Sequence, residues 1–408
     1  MSLIFVFERL PEVAGRLFPG AVLKGVEVCK LFHEKLHLHS PVHLKATIAF
    51  NHPVEEHRIY HKGKSAYLKR FRFLRLSLKV HGDDDKLKFL NFLPADCELI
   101  SLDIRGNHIG AEGVRLLISR LPDLGNLSEL WLGDNRLSVQ GMRLLATTIS
   151  ASNNHMTHLS LEKNGLGGLD MEAMRILVTI LPLLASLIVL NLGENKLGIE
   201  GARLLSDCLG TLSKLQVLDL SNNWLREEGI HLLVPSLASL RQLRTINLAN
   251  NRLGPEAIRA LSAADTFGSL HDLNLEFNQL GPEGVRLLSS ALASASAAGS
   301  LPLERLNLLG NEMGAGGGVA LGACLHLAVD LRDLNLGENR LGVPGALGLS
   351  GGVASLRRLR RLNLSDNRLG REGVAMVGAA VDAAGELEWV GLEGNQVCGA
   401  GLWSYLWS

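Results

Sequence analysis

Eleven times between Leu99 and Val397 the chain returns to one frame, Leu-x-x-Leu-x-Leu-x-x-Asn-x-Leu, and no other feature narrows its possible folds so far. The asparagines are Asn107, Asn135, Asn164, Asn195, Asn223, Asn251, Asn278, Asn311, Asn339, Asn367 and Asn395, at spacings of 28, 29, 31, 28, 28, 27, 33, 28, 28 and 28 residues. Two nonamers, LNLGENKLG at 190–198 and LNLGENRLG at 334–342, differ only in Lys196 against Arg340. Where the apolar frame varies, Ile104, Met156, Ile246, Met313, Val390 and Val397 stand in for leucine. A fixed period of this length is the mark of stacked structural repeats.

Each half of the unit has a physical reading. The Leu-x-Leu centre has period two and predicts a short strand with its leucines on one face. The asparagine falls where the chain leaves the strand, where a buried donor and acceptor can satisfy backbone groups of its own and the next coil as a ladder. The second half, as in GAEGVRLLISRL from Gly110, GIEGARLLSDCL from Gly198 and GPEGVRLLSSAL from Gly281, predicts an amphipathic helix. It begins at a glycine or proline turn, with an acid in the first turn to complement the helix dipole. Neither piece can bury its apolar face alone, so neighbouring units must stack into one continuous core.

The period, with the signature Asn-x-Leu-Gly-x-x-Gly-x-x-x-Leu as in NRLGREGVAMV from Asn367, resembles the ribonuclease-inhibitor-type leucine-rich repeats, also found in NOD-like receptors and Ran GTPase-activating proteins. The resemblance spans about three quarters of the chain, from Cys97 to Ser408. It implies an α/β fold: a right-handed leucine-rich-repeat solenoid shaped as a horseshoe, with a parallel sheet on the concave face, helices on the convex face and a small N-terminal cap region. It also implies ligand binding on the concave surface. Two longer intervals, containing SSALASASAAGSLP and GLGGLDMEAM, fall outside the strand frame and predict longer loops or helix extensions on the rim. The closing GLWSYLWS places Trp403, Tyr405 and Trp407 where a final cap would lie.

Upstream, the expected organisation is an N-terminal region at 1–70, a degenerate capping repeat at 71–96 and eleven repeats at 97–408. In FLRLSLKVHGDDDKLKFLNFLP, Leu76 and Leu78 keep strand register and His81 stands near the asparagine position. Within 10–36, the residues Phe18, Pro19, Leu23, Val26, Val28, Cys29, Lys30 and Phe32, with Leu10-Pro11 ahead of them, resemble the second half of an F-box. The segment between Leu10-Pro11 and Pro19 is about four residues shorter than that pattern. The resemblance implies docking to the adaptor of a cullin ubiquitin ligase; the alternative is an amphipathic helix pair capping the solenoid.

Composition excludes several classes. Lys plus Arg equals Asp plus Glu at 41 each, so no basic excess points to nucleic acid or an anionic membrane. The five cysteines, Cys29, Cys97, Cys208, Cys324 and Cys398, form no C-x-x-C pair and favour a reduced interior, hence a cytoplasmic or nuclear setting. The apolar run Leu3 to Phe7 is too short for a signal peptide, and no stretch approaches the roughly 18 apolar residues of a membrane span. Eight of fourteen histidines lie in 33–81 without a metal-ligand motif, so no metal and no cofactor is expected. Lys62 to Ser65 reads KGKS, but Arg58 stands where a phosphate loop needs its leading glycine. The basic, aromatic run KSAYLKRFRFLR from Lys64 reads as a half-exposed strand before it reads as a nucleic-acid contact.

Function therefore rests on the outward strand residues, at frame positions three, five, seven and eight. Their acids are Asp103, Glu129, Asp134, Glu162, Glu194, Asp219, Asp272, Glu276, Asp333, Glu338, Asp366 and Glu393, against the bases Arg105, Lys163, Arg305 and Arg361. An acidic face on a neutral chain predicts a basic protein partner bound in a salt-sensitive way. Trp131, Phe277 and Trp389 are the large anchors on that face, where truncating a hot-spot aromatic removes roughly 2 kcal/mol or more. Position five is Asn in six units (Asn191, Asn247, Asn274, Asn307, Asn335 and Asn363), a uniformity that suggests repeat duplication rather than an epitope. No nucleophile, base and orienter can be assembled from frame positions, so a non-enzymatic binding scaffold is expected. A cullin-ligase substrate receptor and a GTPase-activating regulator are the alternatives.

Overall fold

In a computed structural model of the chain, the described residues are 43–50, 72–80 and 99–396, apart from 122–123, 152–154, 169–170, 297–300 and 386. The chain divides into two compact units, Met1–Asn191 and Leu192–Ser408. In the first, β1 (His43–Phe50), β2 (Arg72–Val80) and β3 (Ser101–Asp103) precede α1 (Gly110–Arg120). Then come β4 (Glu129–Trp131), α2 (Val139–Ala151), β5 (His158–Ser160), α3 (Glu172–Ile180) and β6 (Val189–Asn191). The second runs α4 (Gly198–Leu209), β7 (Val217–Asp219), α5 (Arg226–Ser239), β8 (Thr245–Asn247), α6 (Pro255–Ala263), β9 (Asp272–Asn274) and α7 (Gly281–Ala295). It continues with β10 (Arg305–Asn307), α8 (Gly314–Cys324), β11 (Asp333–Asn335), α9 (Gly342–Ala354), β12 (Arg361–Asn363), α10 (Gly370–Ala384) and β13 (Trp389–Gly391).

Within each unit every strand pairs in parallel with its neighbour in sequence, as the alternation of strand and helix requires. Register follows the frame: Leu102, Leu130, Leu159 and Leu190 align in the first unit, and Leu218, Ile246, Leu273, Leu306, Leu334, Leu362 and Val390 in the second. These residues are buried in every repeat but the last, where Val390 is half-buried. The inner helix positions, such as Leu205, Leu233, Leu261 and Leu288, are buried as well. Each such leucine contributes about 1.5–3 kcal/mol by leaving water. The fold is the α/β solenoid with a parallel sheet on one face and helices on the other.

The asparagine ladder is present as the frame implies. Asn251 is fully buried; its Nδ2 donates to Leu220 O at 2.9 Å in the preceding repeat and to Leu248 O and Ala249 O at 3.1 and 3.2 Å in its own. Its Oδ1 accepts from the Asn223 and Leu225 N–H groups at 3.0 and 3.2 Å. The same set recurs at Asn223, Asn339 and Asn367. One step is incomplete: the buried Asn311 keeps its three donations, but its Oδ1 has no partner among the described residues. This is where the spacing stretches to 33 residues.

Both long intervals stay out of the strands. In one, α7 reaches fifteen residues; in the other, α3 begins at Glu172, eight residues after Asn164, where α4 begins three after Asn195. At the N-terminal end, β2 aligns Leu76 with Leu102. Upstream of the eleven frames, β1 pairs in parallel with β2 and sets Ala46 and Ile48 beside Leu76 and Leu78. A signal was available: Asn51 follows Ala46 by the same five residues that separate Asn107 from Leu102. The F-box-like segment 10–36, the KGKS motif, residues 64–71 of the basic-aromatic run, His81 and the aromatic C-terminal segment 397–408 lie outside the described residues, as do His33, His37, His39, His52, His57 and His61; the end of the basic-aromatic run, Arg72 to Arg75, opens β2.

Cys208 and Cys324 are buried free thiols. Burial, reinforced by the neighbouring Asp207 charge, pushes the Cys208 thiol up to about 12. Cys208 is therefore expected to resist iodoacetamide at pH 8 in the folded protein and to react promptly in denaturant, which peptide mapping checks. Since the folded thiol keeps its proton while the unfolded one ionises, this group withdraws stability as pH rises above the ordinary thiol range.

Candidate partner-binding face

The three-residue strands turn their frame leucines inward, so positions three and five of each repeat point out of the sheet. Positions eight and ten then adopt left-handed backbone in repeat after repeat: Asp134 and Arg136, Glu194 and Lys196, Asn222 and Trp224, Asn250 and Arg252, Glu338 and Arg340, Asp366 and Arg368. A single non-glycine residue with positive φ hints at local strain stored for function. Recurrence of the position-eight conformation in all eleven frames makes it a feature of the turn instead.

The row of asparagines at position five has a structural explanation. The Oδ1 atoms of Asn247, Asn274, Asn307, Asn335 and Asn363 accept from the N–H two residues on, at 3.0 to 3.2 Å. Asp219 and Asp103 do the same for Ser221 and Arg105. The residue type that folds back on its own backbone in this way is Asn or Asp, so the row maintains the strand exit.

Much of the predicted acidity is internally satisfied. All four predicted bases pair with predicted acids: Arg105 with Asp103 at 2.9 Å, Lys163 with Asp134 at 3.1 Å, Arg305 with Asp272 at 2.8 Å and Arg361 with Asp333 at 4.0 Å. Hydrogen bonding to their carboxylates holds the Arg105 and Arg305 guanidiniums above their ordinary range, with burial opposing. Three more acids accept from position-five asparagines of the next repeat: Glu162 from Asn191 at 2.5 Å, Asp219 from Asn247 at 2.9 Å and Glu276 from Asn307 at 2.6 Å. In the first unit, Arg105 also lies over the Trp131 ring at 5.1 Å, and that ring sits 5.9 Å from His158. Trp131 is thereby half-covered by its own chain, and Glu129 lies half-buried in β4.

What stays open lies in the second unit. Glu194, Glu338, Asp366 and Glu393 are exposed and form no ion pair among the described residues. The last three occupy consecutive repeats, and parallel strands place neighbouring repeats about 4.8 Å apart. Phe277 is 44% exposed and Trp389 49%. Trp224, also 49% exposed, carries Lys196 over its ring at 5.7 Å. The frame positions used to list outward residues did not include it, because it stands at position ten. An aromatic where five other repeats carry Arg or Lys (Arg136, Lys196, Arg252, Arg340 and Arg368) was the available signal.

Among the described residues there is no group of three or more His, Cys, Asp and Glu placed to hold a metal, and no helix is long and apolar enough to cross a membrane.

Parallel three-residue strands, a helix after each strand from β3 to β12 and a buried asparagine ladder are the architecture of leucine-rich repeats. Two sequence profiles of the leucine-rich repeat match the chain, one at residues 97–117, 152–174, 269–289 and 356–378 and the other at 214–240. Every matched segment contains a ladder asparagine. No curated protein matches the sequence as a whole. Among solved structures, the chain is similar to an internalin (inlF) from Listeria monocytogenes, with 16% identity, a TM-score of 0.42, and coverage of 96% of this chain and 94% of that one. It is also similar to TLR13 in its complex with ssRNA13, with 18% identity, a TM-score of 0.46 and coverage of 85% of this chain. The match spans 53% of the TLR13 chain, about half its length.

Proposed function

We propose that the strand face of the second unit binds a protein partner that presents basic side chains. The observation carrying this reading is the set of exposed carboxylates Glu194, Glu338, Asp366 and Glu393 on a face that also exposes Phe277 and Trp389. Carboxylates already paired within the chain gain little from a partner, whereas unpaired ones steer a basic surface and form new pairs. The aromatic rings supply apolar area at low conformational entropy and accept cations on their faces. The helix that follows each strand from β3 to β12 supports the likeness to the ribonuclease-inhibitor-type repeat, whose strand face is the expected binding surface.

The test compares affinity purification on the full chain with that on the E338K/D366K/E393K variant at low and high salt. Exposed pairs contribute about 0.2–1 kcal/mol each, so reversing three charges is expected to weaken the partner roughly tenfold or more. Raising salt should weaken wild-type capture in the same way, since screening acts on exposed charges. Equal recovery of the same proteins by the charge-reversed chain would overturn the reading.

A further inference from the structure

From β9 to β13, frame position eight reads Phe277, Gly310, Glu338, Asp366 and Gly394. The two glycines are covered by their neighbours. A Cβ at Gly310 would meet the Phe277 ring, with Cε1 at 2.7 Å, and one at Gly394 would meet the Asp366 carboxyl carbon, also at 2.7 Å. Both side chains therefore lean toward the next repeat. Beside the ring, Leu309 leans over Gly337 in the same way, its Cδ1 2.7 Å from where a Cβ would stand. Together they form a strip across the strands, with Phe277 and Leu309 at its apolar end and the exposed carboxylates Glu338, Asp366 and Glu393 beyond. Two bases stand beside the carboxylates at position ten. Arg340 is held by Glu312 at 3.2 Å, and Arg368 alone does not outweigh three acids that form no ion pair among the described residues.

Behind this strip the helices close up. Between α8 and α9, a Cβ at Gly318 would meet the Gly345 Cα at 3.0 Å, one at Gly348 the Val319 Cα at 2.6 Å, and one at Gly352 the Gly322 Cα at 3.0 Å. Helix backbones that touch run closer than the about 8–10 Å usual between packed helices. A solenoid curves toward its strands because neighbouring helices take more room than neighbouring strands, which lie about 4.8 Å apart. Where α8 and α9 draw together that curvature falls, so the strip runs straighter across β10 and β11.

We infer that the partner segment received here is a basic α-helix lying across the strands, its axis along the strip. This rests on the strand-face reading above and specifies what the partner presents. Residues at i, i+3, i+7 and i+10 share one helix face at rises of about 4.5, 10.5 and 15 Å, close to the roughly 4.8, 9.6 and 14.4 Å at which successive strands lie. The helix stays in step with the repeats. An extended chain presents the same face only every 6.6 Å or so, and it drifts from the repeats by about 2 Å at each step. A straight rod also suits the flattened stretch of the face. An apolar residue at i then sits on Phe277 and Leu309, while Lys or Arg at i+3, i+7 and i+10 face Glu338, Asp366 and Glu393. Nucleic acid does not fit, because its phosphates would meet the same carboxylates.

The test titrates the full chain into two fluorescein-labelled peptides of identical composition and about fourteen residues, read by fluorescence anisotropy. One carries leucine at i and lysine at i+3, i+7 and i+10. The other places the same leucine and lysines at every second position, the spacing of a strand face. The first is expected to bind at least tenfold tighter and to gain helical circular dichroism on binding, since a free peptide of that length is largely unfolded in water. E338K/D366K/E393K should abolish that preference, and Phe277→Ala should weaken the first peptide severalfold while the protein keeps its wild-type circular dichroism. Equal binding of the two peptides would overturn the helix and leave recognition of basic partners standing. Binding of neither would overturn it as well, and the affinity purification on the charge-reversed chain then judges the strand-face reading separately.

Discussion

Replacing Asn251 by alanine is expected to destabilise the protein by about 3–5 kcal/mol, read as a drop in the urea midpoint. Five hydrogen bonds converge on this fully buried side chain, three donated to backbone carbonyls and two accepted from backbone N–H groups of the preceding repeat. Alanine leaves those backbone groups buried without partners, and each unpaired group costs about 1–3 kcal/mol, partly offset by local relaxation. Asn311→Ala should cost measurably less, because the Asn311 Oδ1 accepts nothing among the described residues. Equal losses at the two positions would mean that the two bonds accepted by Asn251 Oδ1 add nothing to the stability of the ladder.

A second pair of substitutions should move stability in opposite directions. At Gly322 in α8, an added Cβ would meet the Gly348 carbonyl, with the carbonyl carbon at 2.8 Å and the Leu349 Cα at 2.9 Å. The obstruction is backbone on both sides, since a Cβ at Gly352 would in turn meet Gly322 Cα at 3.0 Å. Relief requires α8 and α9 to part, so Gly322→Ala is expected to destabilise by about 1–3 kcal/mol. That loss stands despite alanine's intrinsic helix advantage of about 1 kcal/mol. At Gly351 in α9 a Cβ would meet nothing within 4 Å. There the intrinsic preference acts unopposed, and Gly351→Ala is expected to stabilise by roughly 0.5–1 kcal/mol. Thermal melts of the two variants decide the matter, and a shared sign would refute the close backbone approach.

The candidate site was legible in outline and not in content. Asp272, Asp333 and Trp389 could be placed on the outward face from the frame because side chains alternate along a strand. The same frame sets twelve acids against four bases. It does not show that Arg305 lies 2.8 Å from Asp272, or that Asn307 donates to Glu276. Those pairs form between consecutive coils, and which rotamer reaches across depends on three-dimensional spacing. Trp224 stands apart for a related reason: the turn carries position ten to an exposed place beside Lys196, beyond frame positions three, five, seven and eight.

The sequence by itself determined the repeat, the parallel order, the strand register and the ladder, because each coil meets the same neighbours and so the same residue types must recur at the same positions. Only the tertiary structure decided that α8 and α9 approach closely enough for glycine backbones to touch, and which carboxylates remain unpaired. Periodicity follows from one dimension, whereas exposure and pairing depend on distances between coils some 28 residues apart in the chain.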